Sequence, residues 1–86
     1  MTMLLAFTLA AALTLDTLTT QQLERYYWDC DTAFMQGNMG GQDLNSCLAI
    51  TEEFQRRAFD SDRERFMQYW HERRWREWES RGLIVS

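Results

Sequence analysis

Two cysteines, one histidine and thirteen acidic side chains are the groups in this 86-residue chain that could do chemistry, and their spacing decides which kind. Cys30 and Cys47 lie too far apart for a C-x-x-C couple, which argues against a thioredoxin-like redox pair and against a zinc knuckle. The lone histidine stands in His71-Glu72-Arg73-Arg74-Trp75. That string opens like the H-E-x-x-H zinc motif but ends in tryptophan, so the second ligand is missing. A Cys–His nucleophilic pair has no motif to supply an oxyanion hole or an orienting third group. Asp29 and Asp31 flank Cys30 at i,i+2, and Glu52 and Glu53 are adjacent; on a helix these spacings send the carboxylates to different sides. Asn38, Asp43 and Asn45 are too few acids in the wrong order for an EF-hand, and Gly40-Gly41 lacks the Lys-Ser/Thr of a phosphate loop. The chain therefore reads as a non-enzyme without metal ligands or cofactor. The chemistry that remains is a Cys30–Cys47 disulfide, with two buried free thiols as the alternative.

The elements that must bring these sulfurs together read as helices. There is no proline and there are only four glycines, which favours helices joined by short turns over a β sandwich. Thr19 followed by Gln22 matches a capping box, and Leu23, Tyr27, Cys30 and Phe34 then recur on one face, with Tyr26 and Ala33 widening it. Gly37 is a natural stop, so a helix is predicted over about 20–36. Gly37-Asn38-Met39-Gly40-Gly41-Gln42 is a turn. A second stripe follows in Leu44, Cys47, Leu48, Thr51, Phe54 and Ala58. Ser61 with Glu64 predicts another capping box, opening a third helix that runs to about Ser80 before Gly82. Along it, Glu72–Arg76, Arg73–Glu77 and Glu77–Arg81 are opposite charges at i,i+4.

In such a hairpin the turn is centred near Asn38–Met39, and both cysteines are almost equidistant from it. They sit at the same height on inward stripes, the placement a cross-helix disulfide requires. A closed loop of about 17 residues contributes roughly 3 kcal/mol in the chain-entropy picture. The predicted fold is all-α: a disulfide-linked antiparallel helical hairpin with a third helix packed across it, in a single domain over 18–82.

Ahead of that domain, residues 1–15 are apolar, and the run from Met3 to Leu15 is broken only by Thr8 and Thr14. As a helix it reaches about 20 Å, short of the ~30 Å hydrocarbon core. Its length fits the apolar core of a secretory signal, with Ala10-Ala11-Ala12 offering small residues for cleavage, although no Lys or Arg precedes it. A retained membrane or partner-docking helix and a buried core helix are the other readings. The formal charge of -4 leaves no basic footprint for nucleic acid.

The string Trp70-His71-Glu72-Arg73-Arg74-Trp75-Arg76-Glu77-Trp78 is the most distinctive surface candidate. Phe66, Met67 and Trp70 continue a core stripe, whereas Trp75 and Trp78 spread to a second sector with Arg74 between them. Trp28 and Met35 likewise lie opposite the inward face of the first helix. One reading is that these aromatics cover a small core under arginine stems. The other is an aromatic and arginine contact surface, formed by Trp28, Arg74, Trp75 and Trp78. Glu72, Glu77 and Glu79 nearly cancel the arginines, which argues against a basic membrane helix.

Tyr26-Tyr27-Trp28-Asp29-Cys30-Asp31-Thr32-Ala33, then Cys47-Leu48-Ala49-Ile50-Thr51-Glu52 and Asp62-Arg63-Glu64-Arg65-Phe66-Met67-Gln68-Tyr69-Trp70, resembles a group of short exported proteobacterial proteins. They share an aromatic–Trp–acid–Cys start, a second Cys after the turn and a late aromatic pair. The likeness covers about residues 20–75 and implies a secreted helical domain with a disulfide, without an activity. A looser likeness, to small helical lysozyme inhibitors of bacterial envelopes, rests on helices plus cysteines. The expectation is a small exported, periplasmic or secreted interaction protein whose partner is an envelope or extracellular protein. The alternative is a membrane-anchored accessory subunit held by its N-terminal helix.

Overall fold

Helix α1, Thr20–Met35, starts where Thr19 can cap it. The Thr19 hydroxyl accepts from the Gln22 N–H at 3.0 Å, and the Gln22 side chain accepts from the Thr19 N–H at 2.8 Å. The capping box read from the sequence is therefore formed in full. At the other end Gly37 takes a φ of 72°, and the Gly37 and Asn38 N–H groups donate back to the Phe34 and Ala33 carbonyls at 3.0 and 3.1 Å. This Schellman closure satisfies carbonyls that the helix end would leave bare. The computed structural model describes residues 15–83, apart from the Gln42 side chain. The apolar run over 1–14, and with it the expectation of a signal or anchor, lies outside the described residues.

Helix α2, Gly41–Phe59, begins inside the segment predicted as turn. Gly40 serves as its N-cap in an extended conformation, and Asp43 places a negative charge in the first turn, where the helix dipole favours it. Asp60 and Ser61 then reverse the chain with φ values of 52° and 59°. This turn overturns the predicted Ser61–Glu64 capping box. With Ser61 spent on a left-handed position, the first residue able to take extended cap geometry is Asp62, whose carboxylate accepts from the Arg65 N–H at 3.2 Å. Helix α3, Arg63–Ser80, follows and closes at Gly82, where the Leu83 N–H reaches the Trp78 carbonyl at 2.9 Å.

The fold is all-α: α1 and α2 form an antiparallel hairpin and α3 packs across it. Cys30 and Cys47 are joined, with their Cα atoms 5.6 Å apart, so the two stripes meet in the predicted register. Leu23, Tyr27, Trp28, Phe54 and Phe66 form the core, backed by Leu18, Ile50, Ala58, Phe59, Tyr69 and Trp70. Tyr27 stacks on Phe54 with ring centroids 5.4 Å apart, and Phe66 meets Tyr27 edge-on at 5.3 Å.

This core occupies one end of the hairpin. Between Thr32 and Phe54 no described residue is buried. Phe34 and Leu48, assigned inward by periodicity, are 60% and 53% exposed. The reason is the position of α3, whose contacts fall on α1 between Glu24 and Asp31 and on α2 at Phe54 and Phe59. It leaves the turn end uncovered.

Two features stabilise the hairpin in ways periodicity does not show. Arg57 donates to the Leu15 and Asp16 carbonyls at 3.0 and 3.1 Å, and to that of Leu18, tying the chain ahead of α1 to α2. Glu53 holds Arg57 in place at 2.6 Å and also pairs with Arg56. Hydrogen bonds from Arg56 and then Arg57 lower the Glu53 carboxyl to about 2. Thr32 is the opposite case: its hydroxyl is buried and has no hydrogen-bond partner. Thr32→Val removes that orphan at nearly constant shape and is expected to raise stability by up to about 1 kcal/mol. Thermal melts check this, and a lowered Tm would mean that the hydroxyl is satisfied.

Candidate interaction surface

Helix α3 is fastened to α1 by polar groups on its aromatic face. The Asp31 carboxylate accepts from two indoles, Trp70 Nε1 at 3.2 Å and Trp78 Nε1 at 2.7 Å. Trp28 Nε1 donates to the Tyr69 hydroxyl at 2.8 Å, and that hydroxyl donates to Glu24. Arg81 bridges Asp29 at 3.0 Å and Glu77 at 2.6 Å. Asp29 and Asp31 thus anchor different parts of α3, in keeping with their divergent spacing. Burial and the nearby Asp31 push the Tyr27 phenol well above its ordinary value; burial and Glu24 do the same for Tyr69. Neither is a phenolate base at neutral pH.

These bonds correct two of the four predicted contact residues. Trp28 is 1% exposed and Trp78 is 6% exposed, so both belong to the interior. The expectation failed because α1 has two neighbours. Its inward stripe meets α2, and the side carrying Trp28 meets α3.

Trp75 does face solvent, at 58% exposure, with its ring edge-on to Trp78 at 5.3 Å. Arg74 is half-buried, its guanidinium 4.9 Å from the Trp70 ring centroid and 5.4 Å from that of Trp75. It also contacts Nδ1 of the exposed His71. Of the three predicted i,i+4 pairs on α3, Glu77–Arg81 forms an ion pair.

An uncovered apolar feature lies where the periodicity of both helices placed core. Phe34, Met39, Leu44 and Leu48 line a cleft at the turn end of the hairpin, with the Cys30–Cys47 disulfide, Tyr27 and Thr51 beside them. Its polar groups are already engaged. Asp31 accepts from the two indoles, and the Thr51 hydroxyl donates to the Cys47 carbonyl at 2.8 Å. Such a lining can bury apolar surface and offers no nucleophile or proton shuttle. The sequence carried no signal for it, because α3, at 18 residues, is longer than the 16 of α1, and where it crosses the hairpin is not set by spacing. Among the described residues no group of three or more His, Cys, Asp or Glu side chains is placed to hold a metal ion. No protein-family model matches the chain, and neither a curated protein nor a solved structure is significantly similar to it.

Proposed function

We propose that this chain is a small exported, non-enzymatic interaction protein of the bacterial envelope, which engages another protein through the turn end of its hairpin. The observation that carries this reading is the exposed apolar cleft of Phe34, Leu44 and Leu48, because contiguous uncovered apolar surface on a small domain marks a contact site. The disulfide supports an oxidising compartment, periplasmic or extracellular, and the apolar run over 1–15 suits a leader to it. No described helix is long and apolar enough to cross a membrane. Trp75 with Arg74 offers a second contact point of the composition enriched at interfaces. The same apolar run favours a second reading, an accessory subunit held at the membrane by its N-terminal helix.

Intact mass of the protein made in a Gram-negative host, before and after reduction and alkylation, tests location and cross-link together. Loss of roughly the first dozen residues, with alkylation only after reduction, is expected. A full-length protein with freely alkylated thiols would overturn export, and a full-length, disulfide-closed protein resisting carbonate extraction would select the anchored reading. Chemical cross-linking in the envelope tests the contact. A partner adduct is expected with the wild type and absent with Leu48→Asp; its persistence in that variant would remove the cleft from the contact.

A further inference from the structure

The cleft lies in a stretch of the chain from which positive charge is missing. All nine arginines fall at position 25 or from position 56 onward. The thirty residues 26–55 hold Asp29, Asp31, Asp43, Glu52 and Glu53 and no cation. Two of these acids are neutralised from outside the stretch, Asp29 by Arg81 and Glu53 by Arg56 and Arg57. Asp31, which lines the cleft, is matched by indole N–H groups and by no cation. Asp43 is exposed and makes no ion pair with a described residue, and it lines the adjoining depression, which shares Met39 and both cysteines with the cleft. The apolar floor therefore has Asp31 in its lining, held by two indoles, and Asp43 in the depression beside it, two carboxylates that no described cation pairs with.

The cleft continues a groove that already holds a helix at its other end. The hairpin presents the same two stripes along its length, and at the core end they accept the aromatic face of α3. At the turn end Leu44, Leu48 and Thr51 follow one another at four and three residues along α2, two helical turns of unfilled groove facing Phe34 of α1.

We propose that this cleft binds a cationic amphipathic helix of a partner protein. Its apolar face packs over Phe34, Leu44 and Leu48, and its Lys or Arg side chains lie against Asp31 and Asp43. This rests on the interaction reading above and adds the partner's chemistry to it. A second copy fits less well, because the arginines of its α3 are interleaved with Glu72, Glu77 and Glu79.

The test is an NMR titration of the oxidised full chain with three synthetic peptides of about 18 residues, five helical turns. One is an amphipathic Leu/Lys helix, one a scramble of the same composition, and one an amphipathic Leu/Glu helix. Saturable shifts at Phe34, Leu44, Cys47 and Leu48 are expected with the Leu/Lys helix alone. Binding should weaken about tenfold in a Leu44→Ser, Leu48→Ser variant. In Asp43→Asn it should weaken several-fold, with a shallower dependence on salt. Both variants alter exposed side chains, and an unchanged spectrum elsewhere verifies their fold. Equal binding of the scramble, or shifts scattered over every acidic residue, overturns the proposal. Equal binding of the Leu/Glu helix at the cleft overturns the cationic partner and leaves the interaction reading standing. Absence of binding by all three peptides overturns the proposal, while the Leu48→Asp cross-linking result judges the broader reading separately. Concentration-dependent shifts at the cleft without peptide would assign it to a second copy and likewise overturn the proposal.

Discussion

Trp28→Ala is expected to cost about 3–5 kcal/mol, the range for deleting a fully buried large aromatic. The indole is 1% exposed, lies against Tyr27 with ring centroids 5.1 Å apart, and donates its N–H to Tyr69 at 2.8 Å. A domain of this size has about 3–10 kcal/mol in hand at ordinary per-residue stabilities, so the loss brings it close to unfolding. The measurement is a thermal melt followed by circular dichroism, in which the cooperative transition is expected to disappear or to fall below room temperature. Trp28→Phe keeps much of the ring packing and loses the donor, and its effect should be clearly smaller. A Tm within a few degrees of wild type for Trp28→Ala would refute the assignment of Trp28 to the interior and return it to the surface.

The second large effect is loss of the cross-link. Cys30→Ser is expected to destabilise by about 2–4 kcal/mol and to lower the Tm by about 10–20 °C. The structure adds where the damage falls. No described residue between Thr32 and Phe54 is buried, so packing alone does little to hold α1 to α2 at the turn end. The aromatic core lies beyond Cys30, among Leu23, Tyr27, Trp28, Phe54 and Phe66. Hydrogen exchange of the reduced protein is therefore expected to rise first over about residues 33–49, while amides near Leu23 and Phe66 keep more of their protection. An equal Tm for Cys30→Ser and the wild type under oxidising conditions would show that the bridge does not form. A uniform loss of protection would show instead that the turn end and the core unfold as one unit. Because the disulfide borders the cleft, reduction should also weaken whatever binds there.

Helix limits and the disulfide were legible because each is decided within a few residues. Thr19 with Gln22 specifies a cap through two local hydrogen bonds, and Gly37 stops α1 because its left-handed conformation suits glycine. Two stripes of similar length on either side of a short turn bring Cys30 opposite Cys47 whatever the third helix does. The miss at Ser61 is also local in origin. Two successive non-glycine residues in left-handed conformation, Asp60 and Ser61, have no distinctive sequence signature, and the cap moved one place to Asp62.

Which side chains lie inside and which outside was settled by the packing of the three helices on one another. Periodicity assigns a residue to a face, but it does not state how many neighbours a helix has or how far along it they reach. Helix α1 has two neighbours, so Trp28 is buried on the face assigned to solvent, and Trp78 is buried with it through Asp31. Helix α3 crosses only the core end, so Phe34, Leu44 and Leu48 remain exposed on the face assigned to the core. Arg57 reaches the Leu15 and Asp16 carbonyls across about forty residues, a contact that spacing along one helix cannot express. Local sequence was enough to set three helices, the cap at Thr19, the stop at Gly37 and one cross-link. The crossing of α3 determined the core and the cleft, because burial depends on where helices meet, and that is set by packing between elements distant in the chain.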